Sequence, residues 1–139
     1  RMNLNWYTDT SFSLVAETKT SVNTFLSEKT FKPIAFKHPF IVWGSPNTLT
    51  YLHNCGFETF SHILDETYDT EINADRRLKM ILSLLDSLYT EFKTNKSIFE
   101  DSITQEKLIH NYNLFYNQQL VEHMFFDEAV QPILNFFDQ

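Results

Sequence analysis

The chain has 139 residues, a formal net charge of −7, a single Cys and an unusually aromatic composition of 14 Phe, 6 Tyr and 2 Trp. This length predicts one domain, residues 1–139, and the acidic charge argues against a nucleic-acid partner, which requires a basic surface. One Cys excludes an internal disulfide framework, and no apolar run approaches the roughly 18 residues of a membrane span. We therefore expect a cytoplasmic protein without a leader or a membrane span.

Two apolar runs within residues 12–60 are typical of buried strands. Phe12–Ala16 ends at Glu17, and Phe40–Trp43 ends at Gly44. Each run is short and is followed by a polar segment with helical character. The pattern therefore predicts two strands that are separated by a helical crossover.

A short helix is expected between these strands, beginning just after Lys29. Thr30 would be its N-cap, so that Pro33 falls in the first turn, where a missing N–H removes no hydrogen bond. This part of the chain is also basic, because residues 18–38 contain four lysines against the single acid Glu28. The helix would therefore begin in a basic segment of an acidic protein.

A second helix is expected over residues 46–55, where both ends carry a signal. Ser45 is a preferred N-cap, Pro46 suits the first helical position and Gly56 suits the C-terminal cap. A short strand or extended piece is expected over 57–60. This alternation predicts the α/β class, with a small parallel, half-Rossmann-like sheet and flanking helices.

Residues 61–139 are expected to form a mainly helical part. After an acidic loop, Asn73 should cap one helix, and a second should begin near Asp101 or Ser102. A proline-kinked segment is expected over 128–137. The first helix has an apolar stripe of Leu78, Ile81, Leu82, Leu85 and Leu88, and the second has one of Leu108, Ile109, Tyr112, Phe115, Tyr116 and Leu120.

Four candidate binding residues lie where the predicted strands end and the helices begin: Glu17, Glu28, Lys29 and Ser45. Ligands of open parallel sheets bind beyond the carboxyl ends of the strands. A helix N-terminus beside a lysine suits a phosphate, and a nearby carboxylate suits sugar hydroxyls. A nucleoside diphosphate or a nucleotide sugar would fit here, although a Glu-Lys pair at a helix start is more often simply solvated.

The remaining polar groups do not predict a metal site, a cofactor or a catalytic residue. The acids of residues 65–71 lack the spacing of a calcium loop, and the five histidines lack metal-ligand spacing. Cys55 is typical of a small buried apolar residue. Arg76 and Arg77, at the start of a helix, are typical of a solvated face.

The segments FSLVAET and FLSEKTFKPIAFKHPFIVWGSP, within residues 12–60, resemble the nucleotide-sugar-binding lobe of GT-B glycosyltransferases and are most similar to fucosyltransferases. In that family a strand ends in Phe-Glu-Asn, a Tyr-Val-Thr-Glu-Lys motif opens a helix, and a Pro-Val-Val-Leu-Gly strand follows. Glu17 matches the first acid, residues 25–29 match the helix motif, and residues 39–44 match the second strand.

The resemblance implies a donor-binding lobe of a metal-independent transferase. Glu28 would touch the ribose or sugar, Lys29 the diphosphate, and Glu17 the sugar side of the donor. Such enzymes work between two lobes, so the partner would be a missing N-terminal acceptor lobe or another protein. The alternative is a non-catalytic α/β interaction or assembly module that retains the fold without the ligand, with the aromatic-rich region from Ile98 to Phe137 as its partner surface.

Overall fold

The computed structural model describes residues 4–20 and 26–117 of the chain. Its elements are, in order, α1 (Asn5–Thr8), β1 (Ser13–Ala16), α2 (Glu28–Ala35), β2 (Phe40–Trp43), α3 (Thr48–Asn54), a 3-10 helix (Thr67–Thr70), α4 (Ala74–Phe92) and α5 (Ser102–Phe115). The predicted α/β class is confirmed, with a small parallel sheet, flanking helices and a helical C-terminal half. The expected segment over 128–137 lies outside the described residues.

The sheet consists of β1 and β2, which pair in parallel from Ser13 opposite Phe40 to Ala16 opposite Trp43. The two strands differ in their burial. Phe40, Ile41 and Val42 are all buried, so that both faces of β2 are covered, whereas Val15 is the one buried residue of β1. β1 therefore lies at the margin of the core, as expected for an edge strand.

Helix α2 begins two residues earlier than the sequence predicts. Its N-cap is Ser27, whose Oγ accepts the N–H of Lys29 at 3.2 Å, so the expected Thr30 cap is wrong. Thr30 lies in the first turn instead, where its hydroxyl donates to Glu17. Pro33 consequently lies inside the helix rather than in the first turn, and it is buried.

Helix α3 is shorter than expected, since it spans Thr48–Asn54 rather than 46–55. Ser45 is not its N-cap. That position is taken by Asn47, whose φ of 63° is left-handed and whose side chain caps nothing. The expected cap at the other end is confirmed, because Gly56 follows the helix with a φ of 92°, a conformation that favours glycine.

Of the two alternatives expected over 57–60, the strand does not form, because this segment pairs with a side chain rather than with another strand. The Glu58 N–H donates to Asn111 Oδ1 at 2.7 Å, and Asn111 Nδ2 donates to the Glu58 carbonyl at 2.9 Å. The amide of Asn111 thus satisfies both backbone groups of one residue, as a neighbouring strand would.

Helices α4 and α5 begin at the expected N-caps. Asn73 Oδ1 accepts the Arg76 N–H at 3.0 Å, and Asp101 Oδ1 accepts the Thr104 N–H at 2.9 Å. Their buried faces are rotated relative to the expected stripes, since Leu82 is 55% exposed and Ile109 is also exposed. The buried positions are 77, 81 and 88 in α4, and 104, 108, 111 and 115 in α5.

Aromatic rings connect α2 to the C-terminal helix α5. Phe31 of α2 lies 6.0 Å from Phe57 and 6.1 Å from Phe115 of α5, measured between ring centroids. Ile98 and Phe99 are also buried. Within the described part of the chain Ile98, Phe99 and Phe115 therefore belong to the core, whereas Ile103 and Ile109 of the same region are exposed.

Candidate functional site

Glu17 lies just beyond the carboxyl end of β1 and is only 4% exposed. Its carboxylate accepts hydrogen bonds from the Ser27 N–H at 3.0 Å, the Ser27 Oγ at 2.6 Å and the Thr30 Oγ1 at 2.5 Å. Ser27 and Thr30 belong to the N-terminal turn of α2, where the helix dipole favours a negative charge. Because the carboxylate is buried and already accepts three hydrogen bonds, it offers little to a sugar hydroxyl.

Lys29 and Glu28 lie in the first turn of α2, at the same edge of the sheet as Glu17. The ammonium of Lys29 is exposed, and it donates to the Ala16 carbonyl at 3.4 Å and to Thr18 Oγ1 at 3.2 Å. Glu28 is half-buried. Lys29 therefore reaches back over the end of β1.

Ser45 follows β2 at this edge and is buried. Its carbonyl accepts the Thr48 hydroxyl at 2.6 Å. The adjacent Gly44 packs closely on Glu17, because a Cβ added at Gly44 would lie 3.5 Å from the Glu17 Cβ. The structure thus brings the four predicted residues to one edge, with Glu17 and Ser45 buried and Lys29 exposed.

Asp69, in the 3-10 helix, is a buried carboxylate at the same edge that the sequence did not single out. Its side chain accepts the Leu49 N–H at 2.7 Å, the Thr50 N–H at 3.0 Å and the Thr50 hydroxyl at 2.9 Å. Asp69 therefore caps α3 from a position about 20 residues further along the chain. This capping replaces the role that was expected of Ser45.

Arg77 lies between these capped helices and is only 1% exposed, which corrects the expected solvated position. Its Nε donates to the Gly44 carbonyl at 2.9 Å, Nη1 to the Glu71 carbonyl at 2.6 Å, and Nη2 to the Thr20 carbonyl at 2.6 Å. Burial lowers the pKa of Arg77, while the charges of Asp69 and Glu71 oppose that shift. The guanidinium thus ties the ends of both strands to α4.

The helix N-termini at this edge are therefore occupied by the protein's own groups. A phosphate binds such a terminus through free backbone N–H groups, whereas the N–H groups of Ser27, Leu49 and Thr50 already bond Glu17 or Asp69. A bound diphosphate would also place its charge beside these two carboxylates. The two carboxylates thus act as caps that stabilise the N-terminal turns of α2 and α3.

One donor at this edge is different. The Trp43 Nε1 is buried, and among the described residues it has no hydrogen-bond partner. Buried polar groups are nearly always paired, so this indole N–H is available to an acceptor that the described residues do not supply.

The outer edge of β1 is the second candidate site. The N–H groups of Ser13 and Glu17 donate to the carbonyls of Pro39 and Trp43, on the β2 side. Because backbone groups alternate along a strand, those of Leu14 and Ala16 face the other way. Within residues 4–20 and 26–117 no further strand pairs with β1, so the described residues leave this edge without a strand partner.

A groove of about 350 Å³ runs along this edge, between α1 and α2. Two of the side chains that line it are apolar and unusually exposed, Trp6 at 64% and Leu14 at 50%. Two others, Lys29 and Lys32, are basic. The groove therefore combines open backbone groups with apolar surface and positive charge.

His38 holds the start of β1 in place beneath this groove. Its Nε2 lies 2.9 Å from the Thr10 carbonyl, which can only accept, so this nitrogen carries the proton and Nδ1 accepts the Ser13 hydroxyl at 2.8 Å. Burial lowers the pKa of His38, and the bond to Thr10 opposes the shift. The neutral imidazole is thus the form that fastens β1 to the preceding segment.

The acids of the 65–71 loop accept hydrogen bonds from neighbouring groups of the chain. Glu66 accepts the Thr59 hydroxyl and the Phe60 N–H, both at 2.7 Å, and Asp65 accepts the Thr67 N–H at 3.1 Å. Burial raises the pKa of Glu66. Among the described residues, no three His, Cys, Asp or Glu side chains are grouped so that they could hold a metal ion.

Comparisons with known proteins do not assign the chain to a family. No protein family matches the chain, and no curated protein or solved structure matches it significantly. In the part of the chain that the structure describes, none of the helices has the length and apolar character needed to cross a membrane. The function must therefore be inferred from the carboxyl edge of the sheet and the outer edge of β1.

Proposed function

We propose that this protein is a non-catalytic interaction module that binds an extended, acidic segment of a partner protein along the outer edge of β1. The observation that carries this proposal is the open backbone edge beside a groove lined by Trp6, Leu14, Lys29 and Lys32. The carboxyl edge of the sheet, by contrast, is filled by buried groups of the chain. The open surface therefore lies along the outer edge of β1, and the closed one lies beyond the carboxyl ends of the two strands.

An extended segment suits this edge because it can add to β1 as a further strand. Strand addition gains affinity from main-chain hydrogen bonds and specificity from pockets for alternate side chains. Here Leu14 and Ala16 would supply the backbone groups, and Trp6 and Leu14 the apolar contacts. The added strand would also cover an edge that is otherwise exposed to unwanted pairing.

An acidic segment suits the groove because of its charge. The protein carries a net charge of −7, yet two of the groove's side chains, Lys29 and Lys32, are lysines. Opposite charges raise the rate of encounter and disfavour partners of the wrong sign. A basic segment would be repelled by the two lysines in the groove and attracted only by acids that lie further away.

The proposal can be tested with a short peptide of alternating Glu and Val, added to the isotope-labelled protein. At about 1 mM peptide, binding as weak as about −4 kcal/mol should move the amide resonances of Leu14 and Ala16. Leu14→Pro should abolish binding, because it removes an outward N–H without breaking the ladder to β2. The matched control Leu14→Ala keeps that N–H and should retain part of the affinity. Unchanged resonances along β1 would refute the proposal.

A second candidate is the donor lobe that the sequence resemblance implies, which would bind a nucleoside diphosphate or a nucleotide sugar. It is favoured by the location of Glu17, Glu28, Lys29 and Ser45 at one edge and by the unpartnered indole N–H of Trp43. As an enzyme it would be a metal-independent glycosyltransferase that requires a second lobe.

Thermal melting separates the two candidates. A donor lobe should melt at a higher temperature with one of the common nucleoside diphosphates, since a ligand at about 100 times its Kd adds about 2.7 kcal/mol. Lys29→Ala should remove that stabilisation. An interaction module should show no shift with any diphosphate.

A further inference from the structure

We infer that Lys29 acts as a latch on the β1 edge, and that an acidic side chain of the docked segment releases it. This inference rests on the proposed function, because it concerns the same edge. Its basis is the position of the ammonium, which donates to the Ala16 carbonyl at 3.4 Å and to Thr18 Oγ1 at 3.2 Å.

Ala16 supplies the carbonyl that an added strand would use at this end of β1. Its neighbour Glu17 donates its N–H to the Trp43 carbonyl of β2, so the backbone groups of Ala16 point to the open side. A strand that paired there would run about 4.8 Å from β1. The Lys29 ammonium lies within that space, so the incoming backbone and the ammonium compete for it.

Lys29 can leave this position without disturbing the fold. Its backbone is fixed in the first turn of α2, where its N–H bonds Ser27 Oγ, but its side chain is exposed. A neutral segment must displace the ammonium into water and gains no contact in return. A segment with a carboxylate beside Ala16 regains an ion pair with the displaced ammonium. The Ala16 carbonyl is therefore more accessible to an acidic segment than to a neutral one.

Four binding measurements test this mechanism: the alternating Glu-Val peptide and its neutral Gln-Val analogue, each with the native protein and with Lys29→Met. The native protein should prefer the acidic peptide. In Lys29→Met the acidic peptide should weaken, and the neutral one should tighten by about two- to fivefold, because the carbonyl is no longer covered. Changes of opposite sign for the two peptides are the signature of a latch.

Lys32→Met is the matched control, since Lys32 lines the same groove. It should weaken the acidic peptide and should not tighten the neutral one, because Lys32 supplies charge attraction without covering a backbone carbonyl. If Lys29→Met behaves in the same way, the latch is overturned while strand docking stands. If neither peptide binds the native protein or either variant, the proposed function fails, and the latch fails with it.

Discussion

Replacement of Arg77 by Met should destabilise the fold strongly. The Arg77 Nε bond to the Gly44 carbonyl is buried, and a hydrogen bond from a charged group is worth about 1.5–3 kcal/mol. The part-buried bonds to the Glu71 and Thr20 carbonyls should add about 1–2 kcal/mol, since water can replace the guanidinium there. We therefore expect the free energy of unfolding to fall by about 2.5–5 kcal/mol.

Urea unfolding followed by circular dichroism measures this loss directly. With a slope of about 2 kcal/mol/M, a loss of about 4 kcal/mol lowers the midpoint by about 2 M. Arg76→Met is the matched control, because Arg76 is the adjacent residue and is exposed. It should cost less than about 0.5 kcal/mol. Similar losses in both variants would refute the conclusion that the buried guanidinium joins the strand ends to α4.

Three further predictions concern a cap, a turn and pH. Asp69→Ala should cost about 2 kcal/mol in urea unfolding, because it leaves the buried Leu49 N–H unpaired, whereas the exposed Asp86→Ala should cost almost nothing. Gly56→Ala should lower stability by about 1–2 kcal/mol in the same assay, because φ is 92° there. Burial lowers the pKa of His38 below its ordinary value, so the unfolded chain binds a proton first and stability should fall as the pH drops below about 6.5; His38→Gln should flatten that slope.

The sequence predicted features that depend on neighbouring residues. Asn73 and Asp101 cap their helices through backbone N–H groups three residues ahead, and Gly56 takes the left-handed conformation just after α3. The two strands were also predictable, because each is a continuous apolar run that ends at a polar residue or a glycine. Such signals lie within a few positions of the structure that they specify.

Features that depend on distant residues could not be predicted. Asp69 caps α3 from about 20 positions away, and Arg77 bonds a carbonyl 33 residues earlier in the chain. An acid in a polar loop and an arginine at a helix start show no local sign of burial. The sequence gives one hint of their burial: apolar residues of α3 and α4 lie near them in the chain, and such residues face a core.

The predicted binding residues illustrate both cases. Glu17 and Lys29 were expected at one sheet edge, because parallel strands end together, and they lie there. Their hydrogen-bond partners were not predictable, since the carboxylate turns inward to α2 and the ammonium turns back to β1. The location of a side chain follows from topology, whereas its availability depends on contacts that only the folded chain reveals.

The pairing of Asn111 with Glu58 has a consequence for the order in which the molecule assembles. Both backbone groups of Glu58 depend on an amide that lies 53 residues later in the chain. During synthesis from the N-terminus, the segment after α3 must therefore wait for α5 to emerge before its main chain is satisfied. Its final shape is imposed from downstream, by a helix that is synthesised after the segment itself.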